Sequence, residues 1–153
     1  MDRHTQRMTL TVAAALVPLA VACGNDTADT GSGSVAPPPK LTGTDWRVDS
    51  VTEGGTTHRA PAAARIRIDD EGRATGNLGC NTFSAPTTVD GGRIDFGTLR
   101  TTRMACDEPR MTFERALTRA LDSGALTART DDGALTLTTG EGGRVQLTPS
   151  ASE

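Results

Sequence analysis

The chain has 153 residues and a formal net charge of −3, and its single lysine, Lys40, belongs to no basic run. Nucleic acids and anionic membranes are bound mainly by clustered positive charge, so this balance argues against both as electrostatic partners. Only 3% of the residues are aromatic, which leaves no row of rings on which bases or sugars would stack.

The first 22 residues have the three parts of a secretory signal. Arg3 and Arg7 give a positive start, and residues 8–22 carry no charge. These 15 residues are shorter than the roughly 20 that a membrane-spanning helix needs, and Pro18 interrupts them. A charged start, a short apolar core and a small-residue end together predict a signal peptide over residues 1–22.

Residues 20–22, Ala-Val-Ala, followed by Cys23 resemble a bacterial lipobox. The resemblance implies cleavage before Cys23 and a diacylglycerol thioether on its sulfur, so that acyl chains such as palmitate anchor the protein on the outer side of a bacterial membrane. An odd thiol in an exported protein needs an explanation, and lipidation of Cys23 leaves an even pair. A lipobox more often has leucine where Ala20 stands. The alternative is ordinary cleavage after Ala22, which would release a secreted soluble protein.

Residues 23–40 are rich in glycine, serine and proline and contain almost nothing to bury. We therefore expect a disordered linker there. Residues 41–149 suffice for one domain and are too few for two.

The domain is predicted to consist of short strands separated by glycine and aspartate turns. Apolar residues recur at every second position in residues 46–50, in residues 65–69 and in three segments between residues 125 and 148. Asp90-Gly91-Gly92 is a strong hairpin signal, whereas residues 53–61, which include His58, are interpreted as a polar loop. Short connections join antiparallel strands. The pattern predicts a mainly β (α+β) fold, with an antiparallel, strongly curved sheet or partial barrel of about eight short strands.

One segment has helical spacing instead. Asp107 is a plausible N-cap, Pro109 is tolerated in a first helical turn, and Gly124 supplies a stop. Apolar residues between positions 111 and 121 follow the helical period. We expect one amphipathic helix packed on the sheet.

Cys80 and Cys106 are the strongest candidate constellation. In an oxidising compartment we expect them to form a structural disulfide. Buried free thiols and a redox-active pair are the alternatives. A reactive thiol needs a base or a positive field nearby, and His58 has no sequence link to either cysteine.

No pattern predicts a catalytic residue, a metal site or a cofactor. The pairs Asp69-Asp70 and Asp131-Asp132 stand beside turn glycines and lack the distant glutamate of a calcium loop. Zinc would need three or four suitably spaced ligands. Ser84 has no nucleophile-elbow setting.

Three arginines surround Cys106 in the sequence: Arg100, Arg103 and Arg110. They could form an anion-binding or partner-binding patch. The interleaved Asp107 and Glu108 favour solvated ion pairs instead.

Three motifs in order resemble the META domain family, to which the HslJ-like envelope lipoproteins belong. They are Leu-Thr-Gly-Thr-Asp-Trp at residues 41–46, Gly-Cys-Asn-Thr-Phe at residues 79–83 and Thr-Thr-Arg-Met-Ala-Cys at residues 101–106. The resemblance spans residues 41–148 and implies a small β-rich domain with one helix and no catalytic residues. The motif residues with an expected structural role are Trp46, Gly79, Asn81, Phe83, Thr101 and Met104.

The chain departs from the family pattern after Phe83, where Ser84-Ala85-Pro86 replaces a Ser-Gly followed by an aromatic residue. Proline cannot donate a hydrogen bond to a neighbouring strand. We therefore expect this strand to lie at a sheet edge or to be broken at Pro86.

These observations favour a non-enzymatic, monomeric, lipid-anchored extracytoplasmic protein. Its META-like domain would contact an envelope protein or a cell-wall component in stress tolerance, with no nucleic-acid partner and no cofactor. The alternative is a small-ligand-binding, barrel-like domain in which the sheet encloses an apolar pocket and the helix acts as a lid.

Overall fold

The structure, a computed structural model, describes residues 40–151. The predicted signal peptide, the predicted lipidation site Cys23 and all of the predicted linker except Lys40 lie outside these residues. The described part of the chain contains these elements: β1 (Asp45–Glu53), β2 (Thr56–Arg59), β3 (Arg65–Ile68), β4 (Arg73–Asn77), β5 (Thr82–Asp90), β6 (Arg93–Phe96), β7 (Arg100–Thr101), α1 (Glu108–Leu121), β8 (Leu126–Asp131), β9 (Ala134–Thr138) and β10 (Arg144–Pro149).

Eight of the described strands form a closed antiparallel barrel. Their order around it is β1, β3, β4, β5, β6, β8, β9 and β10, and β10 pairs back with β1. The closing register runs from Trp46 opposite Pro149 to Thr52 opposite Arg144. Strands β2 and β7 are added to β1 and β5 outside this ring. The mainly β architecture with one helix is confirmed, and the sheet closes completely.

Two-residue turns join β5 to β6 and β8 to β9. Gly91 and Gly92 have φ of 52° and 82°, and Asp132 and Gly133 have φ of 46° and 80°. Positive φ at both central residues defines the type I′ turn, whose twist matches that of antiparallel strands. Glycine and aspartate reach this geometry with less strain than branched residues. The predicted hairpin at Asp90 is confirmed by its pairing with Arg93.

Strand β1 contains a β-bulge that changes which residues face the core. Trp46 and Val48 are buried before the bulge and Val51 after it, and the register with β10 shifts between Val48 and Ser50. A bulge adds one residue to one strand, so the alternation resumes one position later. Ser50, predicted to share a face with Trp46, instead donates its hydroxyl to Gln146 Oε1 at 3.1 Å on the exposed side.

Apolar side chains fill the barrel. Every buried residue of this core is at most 7% exposed, and Trp46, Ile66 and Phe113 are among its largest members. Side chains that are buried to this extent are in contact with other atoms of the protein. The interior formed by the described residues is therefore a packed core.

The prediction that the strand containing Pro86 is broken or lies at an edge is wrong. Strand β5 runs through Pro86 without a break, and β4 pairs with it there through Arg73. On its other side, β5 pairs with β7 at Ser84 and with β6 from Thr87 onwards. Pro86 O accepts a hydrogen bond from Gly97 N at 2.8 Å on the side of β6. Since N and O of one strand residue face the same neighbour, the missing N–H points between the ends of β6 and β7, where no ladder bond is lost.

The interpretation of residues 53–61 as a loop is also wrong. Strands β1 and β2 form a hairpin that pairs Glu53 with Thr56 and Ser50 with Arg59. In β2 only His58 is partly buried, and the other three residues are exposed. Alternation of apolar residues reports a buried face, and a polar strand outside the barrel has none.

Helix α1 packs against β1, β2 and β10, and it buries one stripe of its surface. The buried residues are Phe113, Ala116, Leu117, Ala120 and Leu121. Asp107 occupies the N-cap position, but its carboxylate makes no capping hydrogen bond. It accepts a hydrogen bond from Arg110 Nε instead, and this bond lowers the pKa of Asp107. Within residues 40–151, no helix has the length and apolar character needed to cross a bilayer.

Glu53 connects the end of β1 to the last turns of α1. Arg119 donates from Nη2 to Glu53 Oε1 and from Nε to Glu53 Oε2, the latter at 3.2 Å. His58 Nε2 lies 3.8 Å from Glu53 Oε1. The hydrogen bonds from Arg119 lower the pKa of Glu53, against the opposing effect of desolvation.

We expect Glu53→Gln to lower the free energy of unfolding by less than about 1 kcal/mol at neutral pH, because the pair is partly exposed. The pKa of Glu53 is lower in the folded state than in the unfolded state. Its contribution to stability is therefore present above its ordinary pKa and is lost as the pH falls through its pKa in the folded state. The Tm difference from wild type should therefore shrink between about pH 7 and about pH 3. Arg119→Gln should behave alike, and a difference that persists in acid would contradict this account.

Gly76 lies where β3 and β4 approach each other closely. A Cβ at this position would lie 2.0 Å from the Arg65 carbonyl oxygen and 2.9 Å from a ring carbon of Phe83. We expect Gly76→Ala to lower the free energy of unfolding by about 1–3 kcal/mol, because the backbone must move to admit the methyl group. Urea unfolding measures the effect. Gly140→Ala is the matched control, since nothing lies within 4 Å of its Cβ, and equal midpoints for both variants would disprove the clash.

Candidate functional site

The Asn81 network consists of Asn81, Thr102, Met104, Glu114 and the Cys80–Cys106 disulfide. Asn81 is 3% exposed and lies between β4 and β5. Its Oδ1 accepts from Met104 N at 2.6 Å and from Thr102 Oγ1 at 2.9 Å, and its Nδ2 donates to Met104 O at 3.3 Å. One buried amide thus pairs both backbone polar groups of Met104, as a neighbouring strand would.

Glu114 connects helix α1 to the same loop. Its Oε2 accepts from Asn81 N at 2.7 Å and from Cys80 N at 3.3 Å, and its Oε1 accepts from Asn81 Nδ2 at 2.8 Å. Gly79 precedes these donors with φ of 114°, and a Cβ there would lie 3.0 Å from the Phe113 ring. This conformation favours glycine and gives the predicted motif residue Gly79 a steric role.

Cys80 and Cys106 are joined by a disulfide with an S–S distance of 2.06 Å and a Cα–Cα distance of 6.0 Å. Cys80 is buried and Cys106 is partly buried. The bond joins the loop before β5 to the segment before α1. The Asn81 side chain joins the same two stretches of chain two residues earlier, at Met104.

The hydrogen-bonding capacity of the Asn81 amide is fully used inside the protein. Its two N–H groups donate to Met104 O and Glu114 Oε1, and its oxygen accepts two hydrogen bonds. Among residues 40–151, no buried side-chain nitrogen or oxygen lacks a partner. The role of this arrangement is therefore structural: it holds residues 102–106 in one conformation.

Met104 is held by its backbone, while its side chain points away from the core. The residue is 62% exposed, and the only other large apolar residue that is exposed in the described part of the chain is Val89, at 38%. Among the described residues, Met104 is thus the most exposed large apolar side chain, and it is carried by a fixed backbone.

The other predicted motif residues lie beside the network or in the core. Phe83 is buried at the start of β5, and it pairs with the exposed Thr101 of β7. Trp46 is 1% exposed within β1 and donates its indole N–H to Leu41 O at 3.1 Å. The structure therefore brings together Gly79, Asn81 and Met104 and leaves Trp46 as a core residue.

The motif residues predicted to have a structural role did not include Thr102 or Glu114. Glu114 lies three and seven positions before Leu117 and Leu121, which places it at the edge of the apolar stripe. An acidic residue at that edge is the signal that could have revealed a hydrogen-bond acceptor for the loop that contains Cys80 and Asn81. Thr102 carries no such signal.

The arginines around Cys106 divide into two kinds. Arg110 pairs with Asp107, while Glu108 accepts from Arg115 Nη2 at 2.8 Å. No ion pair found within residues 40–151 involves Arg100 or Arg103. Both of these arginines are exposed and precede Met104 in sequence, by four positions and by one.

The candidate acidic pairs serve turns. Asp69 Oδ1 accepts from Glu71 N at 3.1 Å and from Arg73 N at 2.8 Å. Asp131 and Asp132 belong to the β8–β9 hairpin. The part of the chain that the structure describes contains no group of three or more His, Cys, Asp or Glu residues able to hold a metal ion.

Fold and site together define a small, closed antiparallel β-barrel with one packed helix and a disulfide-linked loop held by a buried asparagine. The model of the META domain family matches residues 39–152, so the chain belongs to that family. No curated protein matches the sequence significantly.

The solved structures that are similar to the chain include two determined by NMR. One is the NMR structure of a protein from Burkholderia xenovorans, which is 26% identical with a TM-score of 0.62, over 79% of this chain and 96% of that one. The other is an NMR structure that is 21% identical with a TM-score of 0.55, over 72% of this chain and 92% of that one. The second likeness supports the fold alone. The name of neither protein states an activity.

Proposed function

We propose that the protein is a non-catalytic, monomeric lipoprotein of the bacterial envelope, anchored outside the cytoplasm by a lipid on Cys23. Its META domain would act as a protein-interaction module in stress tolerance. The charged start, the apolar segment and the lipobox-like residues before Cys23 support the anchor. Membership of the META family supports the interaction role only through the resemblance to HslJ-like lipoproteins.

The observation that carries the interaction role is the exposed Met104 side chain on a fixed backbone. Binding is favoured when the contact residue is already ordered, because less conformational entropy is lost on association. Methionine is unbranched and polarisable, so it adapts to apolar pockets of varied shape. The Asn81 side chain and the disulfide hold residues 102–106 in place, and the Glu114 carboxylate holds the loop that carries Asn81. The Met104 side chain is left in solvent.

The charges that precede Met104 in sequence indicate the chemistry of the partner. Arg100 and Arg103 are exposed, and neither takes part in an ion pair with another described residue. Opposite charges around a central apolar contact favour encounter and set orientation. We infer that the partner is an envelope protein with an apolar pocket rimmed by carboxylates. Cell-wall polymers lack such a pocket.

The alternative of a ligand chamber inside the barrel has less support. It requires an apolar cavity, whereas the core residues contact one another and are at most 7% exposed. A ligand would have to use an open surface cleft, such as the one of about 840 Å³ beside Arg65 and Arg67. Arg67 already donates to Asp45 Oδ2 at 2.6 Å there.

In-cell photo-crosslinking tests the interaction role. A photoreactive amino acid at position 104 should capture one envelope protein, and the same residue at position 89 should not. Val89 is the matched control because it is an exposed apolar residue on β5. Arg100→Glu combined with Arg103→Glu should strongly reduce capture at position 104. Equal capture at both positions, or none at position 104 under growth and stress conditions, would refute the proposed contact.

The anchor is tested separately. Metabolic labelling with a palmitate analogue should label the wild-type protein, and Cys23→Ser should abolish the label. A mature wild-type protein that begins at another residue and lacks acyl mass would refute the lipoprotein assignment.

A further inference from the structure

The described part of the chain contains two methionines in contrasting surroundings. Met104 is 62% exposed on the segment before α1, whereas Met111 is only partly exposed within α1. Oxidants react with a thioether sulfur that they can reach, so exposure separates the two residues chemically. The other sulfur atoms in residues 40–151 belong to Cys80 and Cys106 and are joined in the disulfide.

We propose that Met104 is a modification site for oxidants of the peroxide class. A lone pair of the thioether sulfur attacks one oxygen of hydrogen peroxide, an S–O bond forms and the O–O bond breaks. The sulfur loses two electrons and becomes a sulfoxide. The departing hydroxide takes the proton from the new S–OH group and leaves as water. No residue of the protein needs to act as a catalyst in this step.

The surroundings of Met104 allow this modification without loss of the fold. Sulfoxide formation damages proteins when it places a polar, chiral group inside a packed core. Here the Asn81 amide holds Met104 through N and O of its backbone, and the thioether takes no part in those bonds. The new S=O group can therefore be hydrated, and the Asn81 network stays intact.

Oxidation would also change the surface that the protein offers to a partner. A sulfoxide entering an apolar pocket loses its hydration, which should lower the affinity roughly tenfold, or about 1.4 kcal/mol, unless a donor is present. This consequence rests on the proposed function. The oxidant would then act as a signal that releases the META domain from its partner.

Peroxide treatment of the full mature protein tests the modification. After timed exposure to hydrogen peroxide, peptide mass spectrometry should show one added oxygen at Met104 several-fold sooner than at Met111. The Tm should remain unchanged while Met104 alone is oxidised. Met104→Leu should abolish the fast oxygen uptake and leave the slow phase at Met111. Equal rates at both residues, or a fall in Tm that accompanies oxidation of Met104, would overturn the proposal.

A crosslinking arm separates this inference from the proposed function. A photoreactive group at Ala105, which is exposed beside Met104, reports partner binding while the thioether is retained. Selective oxidation that reduces capture roughly tenfold supports the switch, and undiminished capture refutes it. Selective oxidation in a protein that captures no partner refutes the proposed function and leaves the modification site standing. Unselective oxidation with capture intact refutes the modification site alone.

Discussion

Replacing Cys80 and Cys106 together by serine is expected to lower the free energy of unfolding by about 3.5 kcal/mol. The disulfide spans 26 residues, and the chain entropy that it removes from the unfolded state accounts for this magnitude. For a domain of this size the loss corresponds to a fall in Tm of roughly 15 °C. Urea unfolding at constant pH measures it, with both proteins kept free of reductant.

Reductant supplies an internal control for the disulfide. It should lower the stability of the wild type to that of the double serine variant and leave the variant unchanged. Agreement between the two assigns the loss to the cross-link and not to the serine side chains. A variant within about 0.5 kcal/mol of wild type would show that the hydrogen bonds of the Asn81 side chain restrain residues 102–106 without the disulfide.

The strands that could be predicted are those whose information is local. Residues 65–68 and 144–148 alternate between a buried face and solvent, and glycine-containing turns bound the hairpins at Asp90 and Asp131. Such patterns lie within about ten residues, so the sequence alone contains them. The helix was predictable for the same reason.

The features that escaped prediction depend on contacts between distant residues or lack a buried face. Barrel closure pairs β1 with β10 across about a hundred residues, and no local pattern encodes that pairing. Strand β2 has no apolar face, so its sequence lacks the alternation that indicates a strand. The tolerance of Pro86 depends on β6 and β7 ending on the side to which its nitrogen points.

The candidate site was predicted only in part, because its motifs are local in sequence and its hydrogen bonds join distant residues. Cys80, Asn81, Met104 and Cys106 stand in recognisable motifs, but these motifs do not identify the hydrogen-bond partners of the Asn81 amide. Its partners lie more than twenty residues away, on the segment before α1 and on α1 itself. A side chain's hydrogen-bond partners follow from the tertiary fold, and sequence spacing does not reveal them.

Asn81→Asp is expected to lower the free energy of unfolding by about 3–5 kcal/mol at neutral pH, because it places an unpaired charge in a buried network. The substitution keeps the shape of the side chain but removes the N–H groups that donate to Glu114 Oε1 and Met104 O. The carboxylates of the new aspartate and of Glu114 would then face each other at a position that is 3% exposed in the wild type. Denaturant unfolding of the variant measures the loss.

The pH dependence of this variant identifies the cause. A neighbouring carboxylate and burial raise the folded pKa of the new aspartate, so the penalty is absent below its unfolded pKa of about 3.9 and grows as pH rises above it. Acid should therefore bring the variant closer to wild type. Introducing Glu114→Gln into the variant should recover part of the loss, since a glutamine amide can donate to the aspartate.

Asn77→Asp is the matched control for the Asn81 prediction. Asn77 Oδ1 accepts a hydrogen bond from Gly79 N at 2.7 Å, a role that a carboxylate oxygen fills equally well. The control should therefore stay within about 0.5 kcal/mol of wild type. If Asn81→Asp were equally mild, the donor groups of Asn81 would not be what orders the segment carrying Met104. The fixed backbone behind both the proposed contact and the proposed oxidation site would then have to come from the hydrogen bonds that the oxygen of residue 81 accepts and from the disulfide.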